Sequence, residues 1–179
     1  MLKMFSTQLT GLLNRIHDKE EFSFEDGARL LAQAAVGAGH IYIYGTNEMS
    51  AVEAEALYSE EPLKWAQKFT QDRLLTEADR VLLVSRFGND EEALKIGKKL
   101  NEQGIPFVSI STVGTSEGDS LVDLADVHID LHLKKGLLPD DVGNRFGYPA
   151  SIAALFAYYG LKFTIDEIVA EYEMELEDI

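Results

Sequence analysis

Three short segments carry side chains able to hold a hydroxylated or anionic small molecule: "GTNEMS" at 45–50, "SRFGND" at 85–90 and "STVGTSEG" at 111–118. The first two each run into a helix-like stretch, so backbone N–H groups at the helix start would point into a shared crevice and favour negative charge there. Gly45, Thr46, Asn47 and Ser50, then Ser85, Arg86, Gly88 and Asn89, then Ser111 and Thr112 are therefore the ligand-binding candidates. The same residues have a plainer reading, in which Gly45 and Gly88 make tight turns and Asn89 with Glu92 caps a helix. Gly45 lacks the further glycines of a dinucleotide fingerprint, and the chain has no glycine-lysine phosphate loop, which argues against nucleotide binding. No cofactor is expected.

A second polar pattern lies further on. His128, Asp130 and His132 alternate with Val127, Ile129, Leu131 and Leu133, which puts the polar trio on one face of a strand. Same-face neighbours are roughly 6.5 to 7 Å apart, a spacing that suits two metal ligands better than three. An edge strand with one polar face explains the alternation equally well, so no metal is expected. His17 and His40 stand apart from this row, His40 at the entry to the first strand. The absence of cysteine rules out disulfides, thiolate nucleophiles and cysteine-bound zinc.

The elements that must position these groups follow from hydrophobic periodicity. Leu9, Leu12, Leu13 and Ile16 fall at i, i+3, i+4 and i+7, the spacing of an amphipathic helix over about 5–18. Its apolar stripe suggests a partner subunit, and this helix is expected in a homodimer interface. A second helix is expected from Ser23, which can cap it with Asp26 three positions on. "HIYIYG", "LKWAQKF", "RVLLVS", "IPFVSI" and "DVHIDLHL" read as five strands, with helices over about 49–58 and 89–103 and a short one at "LVDLA". Two more helices, "GYPASIAALFAYYG" and "TIDEIVAEYEMEL", end the chain. Strands alternating with helices imply right-handed crossovers and a three-layer, doubly wound, five-stranded parallel sheet of flavodoxin-like order. Ligands of such sheets bind beyond the carboxyl ends of the strands, where all three polar segments would lie.

Length and charge narrow the function. A chain of 179 residues, 46% of them hydrophobic, suits one domain spanning 1–179. Its net charge of -15 repels nucleic acid phosphates and anionic lipid, so neither is expected as a partner. Part of that charge is a tail, since after Lys162 come Asp166, Glu167, Glu171, Glu173, Glu175, Glu177 and Asp178 with no basic residue. No apolar run approaches a bilayer span and the first twenty residues lack a signal peptide core, so a cytoplasmic location is expected.

The order of "IYIYGTNEMSAVEAEAL", "DRVLLVSRFGNDEEALKIGKKLNEQGIPFVSIS" and "LADVHIDL" resembles the sugar isomerase (SIS) domain, over about Glu25 to Gly160. The resemblance, closest to small single-domain phosphoheptose isomerase-like members, implies the flavodoxin-like SIS fold and a phosphosugar ligand. It also implies use of the N-terminal helix in dimerisation. The family's second loop reads Ser-x-Ser-Gly-x-Thr, whose hydroxyls hold phosphate; here Ser85 and Gly88 remain, while Phe87 and Asp90 replace two hydroxyl donors. The first loop keeps Gly45 and Thr46, with Asn47, Glu48 and Met49 where small residues are usual and Ser50 one place late. The family commonly draws a catalytic carboxylate from the segment after the fifth strand, where "PDD" offers Asp140 and Asp141; Asp141 is carried as the base. Phosphoheptose isomerases also use bound zinc. The resulting expectation is a phosphosugar or carbohydrate-derivative binding protein with an eroded phosphate loop that performs no turnover. The alternative is an aldose–ketose sugar-phosphate isomerase of phosphoheptose isomerase type, and whether the chain is an enzyme stays open.

Overall fold

The first helix does not break where its sequence suggests. In the computed structural model, which describes residues 1–114 and 118–177, α1 runs unbroken over Leu2–Val36. Positions 115–117 of the third polar segment and Asp178 of the acidic tail lie outside the described residues. Leu12, Ile16, Glu20, Phe24, Ala28, Leu31 and Ala35 form one buried stripe at steps of three and four. Glu20 is the charge that hides this continuity, and Ser23 sits mid-helix rather than capping a new one. Leu12 and Ile16 are buried in the chain's own core, with Leu9 and Leu13 packed against it. That stripe therefore needs no second subunit to cover it.

After α1 come β1 (Ile41–Gly45), a 3-10 turn (Asn47–Met49), α2 (Ser50–Tyr58) and β2 (Ala66–Lys68). They are followed by β3 (Arg80–Phe87), α3 (Glu91–Glu102), β4 (Phe107–Thr112), the short α4 (Leu121–Leu124) and β5 (Val127–Asp130). A two-stranded hairpin, β6 (Leu138–Pro139) with β7 (Arg145–Phe146), precedes α5 (Ala150–Glu177). The main sheet has the order β2-β1-β3-β4-β5 with every pairing parallel, as flavodoxin-like winding requires. Period-two alternation divides the core. Ile41, Ile43, Leu82, Val84, Val108, Ile110 and Ile129 face α1, α2 and α5, whereas Tyr42, Val81, Leu83 and Phe107 face α3 and α4.

The last helix is also single, although two were expected with a stop at Gly160. A Cβ at Gly160 would lie 3.0 Å from the Phe24 ring, and one at Gly27 would lie 3.1 Å from Leu161. These glycines let α1 and α5 approach closely; Gly160 does not end a helix. β5 stops at Asp130, three residues short of the expected "DVHIDLHL", because His132 takes a left-handed φ of 51°. Among the described residues no helix is long and apolar enough to cross a membrane.

Candidate functional site

The strand order reverses between β1 and β3, so the switch point, beyond which sheets of this kind bind their ligands, lies between the turn after β1 and the end of β3. β3 extends two residues beyond its expected end, and its register against β4 slips between Val84 and Phe87. Such a bulge re-aims side chains at a strand terminus. Arg86 projects toward the first loop, where its Nε and Nη2 donate to Glu48 Oε1 and Oε2 at 2.6 and 2.8 Å. The guanidinium, which holds the Glu48 carboxyl below its ordinary value against the opposing effect of burial, is thus spent on an internal two-point ion pair. Beside it the rings of Phe87 and Tyr148 meet with centroids 6.2 Å apart. Burial pushes the Tyr148 phenol up, against the Arg86 guanidinium and a hydrogen bond from Thr112; its hydroxyl also donates to the Leu133 carbonyl.

The other candidates reach the carboxyl ends of the strands, but most turn inward. A Cβ on Gly45 would stand 2.2 Å from the Met49 carbonyl oxygen, so this glycine admits its own chain and not a ligand. Thr46 is buried, its N–H donates to Val84 O at 2.9 Å, and its Oγ1 has no hydrogen-bond partner among the described residues. Asn47 is exposed at a left-handed φ of 49°, and Ser50 is exposed at the start of α2. The buried Ser85 donates its hydroxyl to the Phe87 carbonyl at 2.8 Å. Gly88 is knitted to β4 and α4 through its N–H to Thr112 O and its carbonyl from Leu121 N–H. Asn89 is exposed at the turn, and the cap of α3 is Asp90, whose Oδ1 accepts the Ala93 N–H at 3.0 Å. Glu92, expected to share in that cap, instead accepts from the Tyr44 hydroxyl, whose pKa this bond pushes up to about 12.

Ser111 and Thr112 are buried on β4, and Ser111 Oγ lies 2.8 Å from His128 Nε2. The expected row of His128, Asp130 and His132 is broken by the left-handed turn, yet the structure gathers it differently. His132 Nε2 lies 2.7 Å from Glu20 Oε1 of α1, and its Nδ1 lies 3.2 Å from Asp130 Oδ2. Burial holds the His128 imidazole below its ordinary pKa, outweighing the pull of Asp130 and Glu20. Among the described residues no group of three or more His, Asp or Glu side chains is arranged to hold a metal ion. Asp140 closes the β6–β7 turn, accepting from the N–H groups of Val142 and Asn144 at 3.0 and 2.7 Å. Asp141 stands exposed on that turn, with no hydrogen bond or ion pair to the crevice among the described residues. Sequence reasoning missed Glu48, Tyr148 and Glu20. A signal existed for two of them: Glu48 offers the opposite charge to Arg86 on the facing loop, and Glu20 stands four residues from both Ile16 and Phe24.

A model of a domain of unknown function, DUF2529, matches residues 1–169. The chain belongs to this family. It is 43% identical over 173 residues to the uncharacterized protein YwjG of Bacillus subtilis (strain 168), covering 96% of this chain and 99% of that one. Among solved structures it is similar to the Vibrio vulnificus NanR protein complexed with ManNAc-6P, with a TM-score of 0.71 and 18% identity. That match covers 99% of this chain and 66% of the NanR chain. A phosphoheptose isomerase from Francisella tularensis matches with a TM-score of 0.61 at 14% identity, over 91% of this chain and 94% of its own. The DUF2529 chain therefore has the SIS-type fold that the strand and loop order suggested.

Proposed function

We propose that this DUF2529 protein binds a phosphosugar or related carbohydrate derivative in the crevice between 45–50 and 85–90, without converting it. The observation that carries this reading is Arg86, a cation set by a bulge at the switch point of an SIS-type sheet. NanR, of the same fold, is complexed with ManNAc-6P. The case against turnover is that Ser85, Ser111 and Asp90 are engaged within the protein and that Asp141 makes no described link to the crevice. We place a second copy of the chain over the groove of about 1000 Å³ between α1 and α5, where Phe156, Tyr159 and Phe163 present an apolar surface. The test is thermal denaturation with a panel of sugar phosphates, since a ligand that binds only the native state raises the melting temperature as its concentration exceeds its dissociation constant. A rise with at least one compound supports the reading, and a flat panel at millimolar concentration refutes it.

A second reading, a sugar-phosphate isomerase, is favoured by one observation. Isomerisation needs a group that moves a proton between adjacent carbons, and Glu20 with His132 forms a part-buried carboxylate–imidazole pair just beyond β5. Either that pair or Asp141 would act as base. Interconversion of aldose and ketose phosphates, followed by proton NMR, would replace the binding reading with this one.

A further inference from the structure

Arg86 is the sole basic residue in the segments 45–50, 85–90 and 111–112 that surround the crevice. In the free protein it already holds an anion. Glu48 meets it through both carboxylate oxygens, the two-point geometry by which a guanidinium takes a phosphate. The other anion-attracting feature of the crevice, the start of α3, is likewise taken by a carboxylate of the chain, that of Asp90. Asn47 adopts its left-handed turn immediately before Glu48, and the β3 bulge lies immediately before Phe87, so both flanks of the pair are locally shaped. Glu48 and Arg86 side chains are 35% and 48% exposed. Ion pairs that open to water are weak and readily exchanged. Tyr148, packed on Phe87, senses both charges, which puts an aromatic wall next to the exchange point.

We propose that Glu48 is a built-in competitor for the ligand's anionic group: a phosphate enters by taking the place of the Glu48 carboxylate on Arg86. This rests on the phosphosugar reading for its natural ligand, but the exchange itself is tested separately with inorganic phosphate. Glu48 then sets the threshold for occupancy, because only a ligand whose charge outcompetes a tethered carboxylate displaces it.

Titration calorimetry at fixed ionic strength, with inorganic phosphate and with ManNAc-6P, decides the matter on four proteins: wild type, Glu48→Gln, Glu48→Gln with Arg86→Gln, and Glu60→Gln. Glu48→Gln keeps the side chain's shape while freeing the guanidinium, and should tighten phosphate at least tenfold. The gain should vanish in the double variant. Glu60 is exposed and outside the crevice segments, so its replacement controls for the loss of one negative charge and should leave affinity within twofold. Unchanged affinity in Glu48→Gln, an equal gain in Glu60→Gln, a gain that survives Arg86→Gln, or no phosphate binding to any variant overturns the proposal. If phosphate behaves as expected and ManNAc-6P and the sugar-phosphate panel bind no better than phosphate, the exchange stands and the phosphosugar reading fails. If ManNAc-6P binds wild type well and Glu48→Gln no better, the reverse holds.

Discussion

Replacing Glu20 by leucine would complete the apolar stripe of α1 and should nevertheless destabilise the protein. The stripe already contains Ile16 and Phe24 one turn to either side, and burying a leucine between them contributes about 1.5 to 3 kcal/mol. Against that stands the broken pair. Glu20 and His132 side chains are 10% and 20% exposed, and removing one partner of a buried pair costs about 3 to 5 kcal/mol. His132 keeps Asp130 at 3.2 Å, which places the cost at the lower end and the net loss at about 1 kcal/mol. The assay is urea denaturation of wild type, Glu20→Leu, His132→Asn and the double variant, with asparagine chosen because it tolerates the left-handed backbone at 132. A charge-assisted hydrogen bond predicts a coupling of about 1.5 to 3 kcal/mol. Coupling below about 0.5 kcal/mol would show that Glu20 is only a charge tolerated in the stripe and would refute the reasoning.

Gly45→Ala should cost on the order of 2 kcal/mol or more, since its Cβ would collide with a backbone carbonyl that cannot rotate away. Gly11→Ala, in α1 with nothing within 4 Å of its Cβ, should stabilise by about 0.5 to 1 kcal/mol; equal effects at the two sites in chemical denaturation would contradict the packing described. Asp79 accepts from the N–H groups of His40 and Thr76 and from the Thr76 hydroxyl; burial alone would raise its carboxyl, but these bonds hold it below the ordinary value. Its folded pKa being depressed, its contribution is complete above about pH 4 and is lost as pH falls through the folded value, so Asp79→Asn should be less stable at neutral pH and should flatten the acid limb of the stability curve. Light scattering should find a dimer at micromolar concentration that Phe163→Glu, a change at a side chain 56% exposed, converts to monomer. A wild-type monomer would leave the α1–α5 groove without its second copy.

The sheet was legible because its central strands are largely apolar on both faces, as in "RVLLVS", and because helices alternate with them. The switch point between β1 and β3 was legible too, since strand order alone locates it. The continuity of the two long helices was not. It depends on Glu20 finding His132 across 112 residues and on Gly160 admitting Phe24, and neither pairing has a local signature. The direction of the hydroxyls was equally hidden. Ser85 and Ser111 have the residue type of phosphate donors, yet a bulge turns one onto its own loop and a neighbouring strand offers His128 to the other. Arg86 could be named from sequence as a candidate, but its partner Glu48 lies 38 residues away on a separate loop.

The two polar clusters beyond the sheet bear on each other. Arg86 extends from the end of β3, Ser111 and Thr112 end β4, and Asp130 ends β5, with His132 and Glu20 just beyond. Neighbouring strands lie about 4.8 Å apart, so the ends of β3 and β5 are separated by roughly 10 Å. This arrangement makes the binding and isomerase readings separable by two variants in the same assay. Arg86→Gln should weaken sugar-phosphate binding under either reading, because it removes the anion's partner. Glu20→Gln should leave binding within a few-fold under the binding reading, whereas under the isomerase reading it should lower turnover by 10²-fold or more with little change in affinity. A Glu20→Gln variant that loses affinity and activity in parallel would show that the pair shapes the crevice through folding alone, and would remove both Glu20 and His132 from the chemistry.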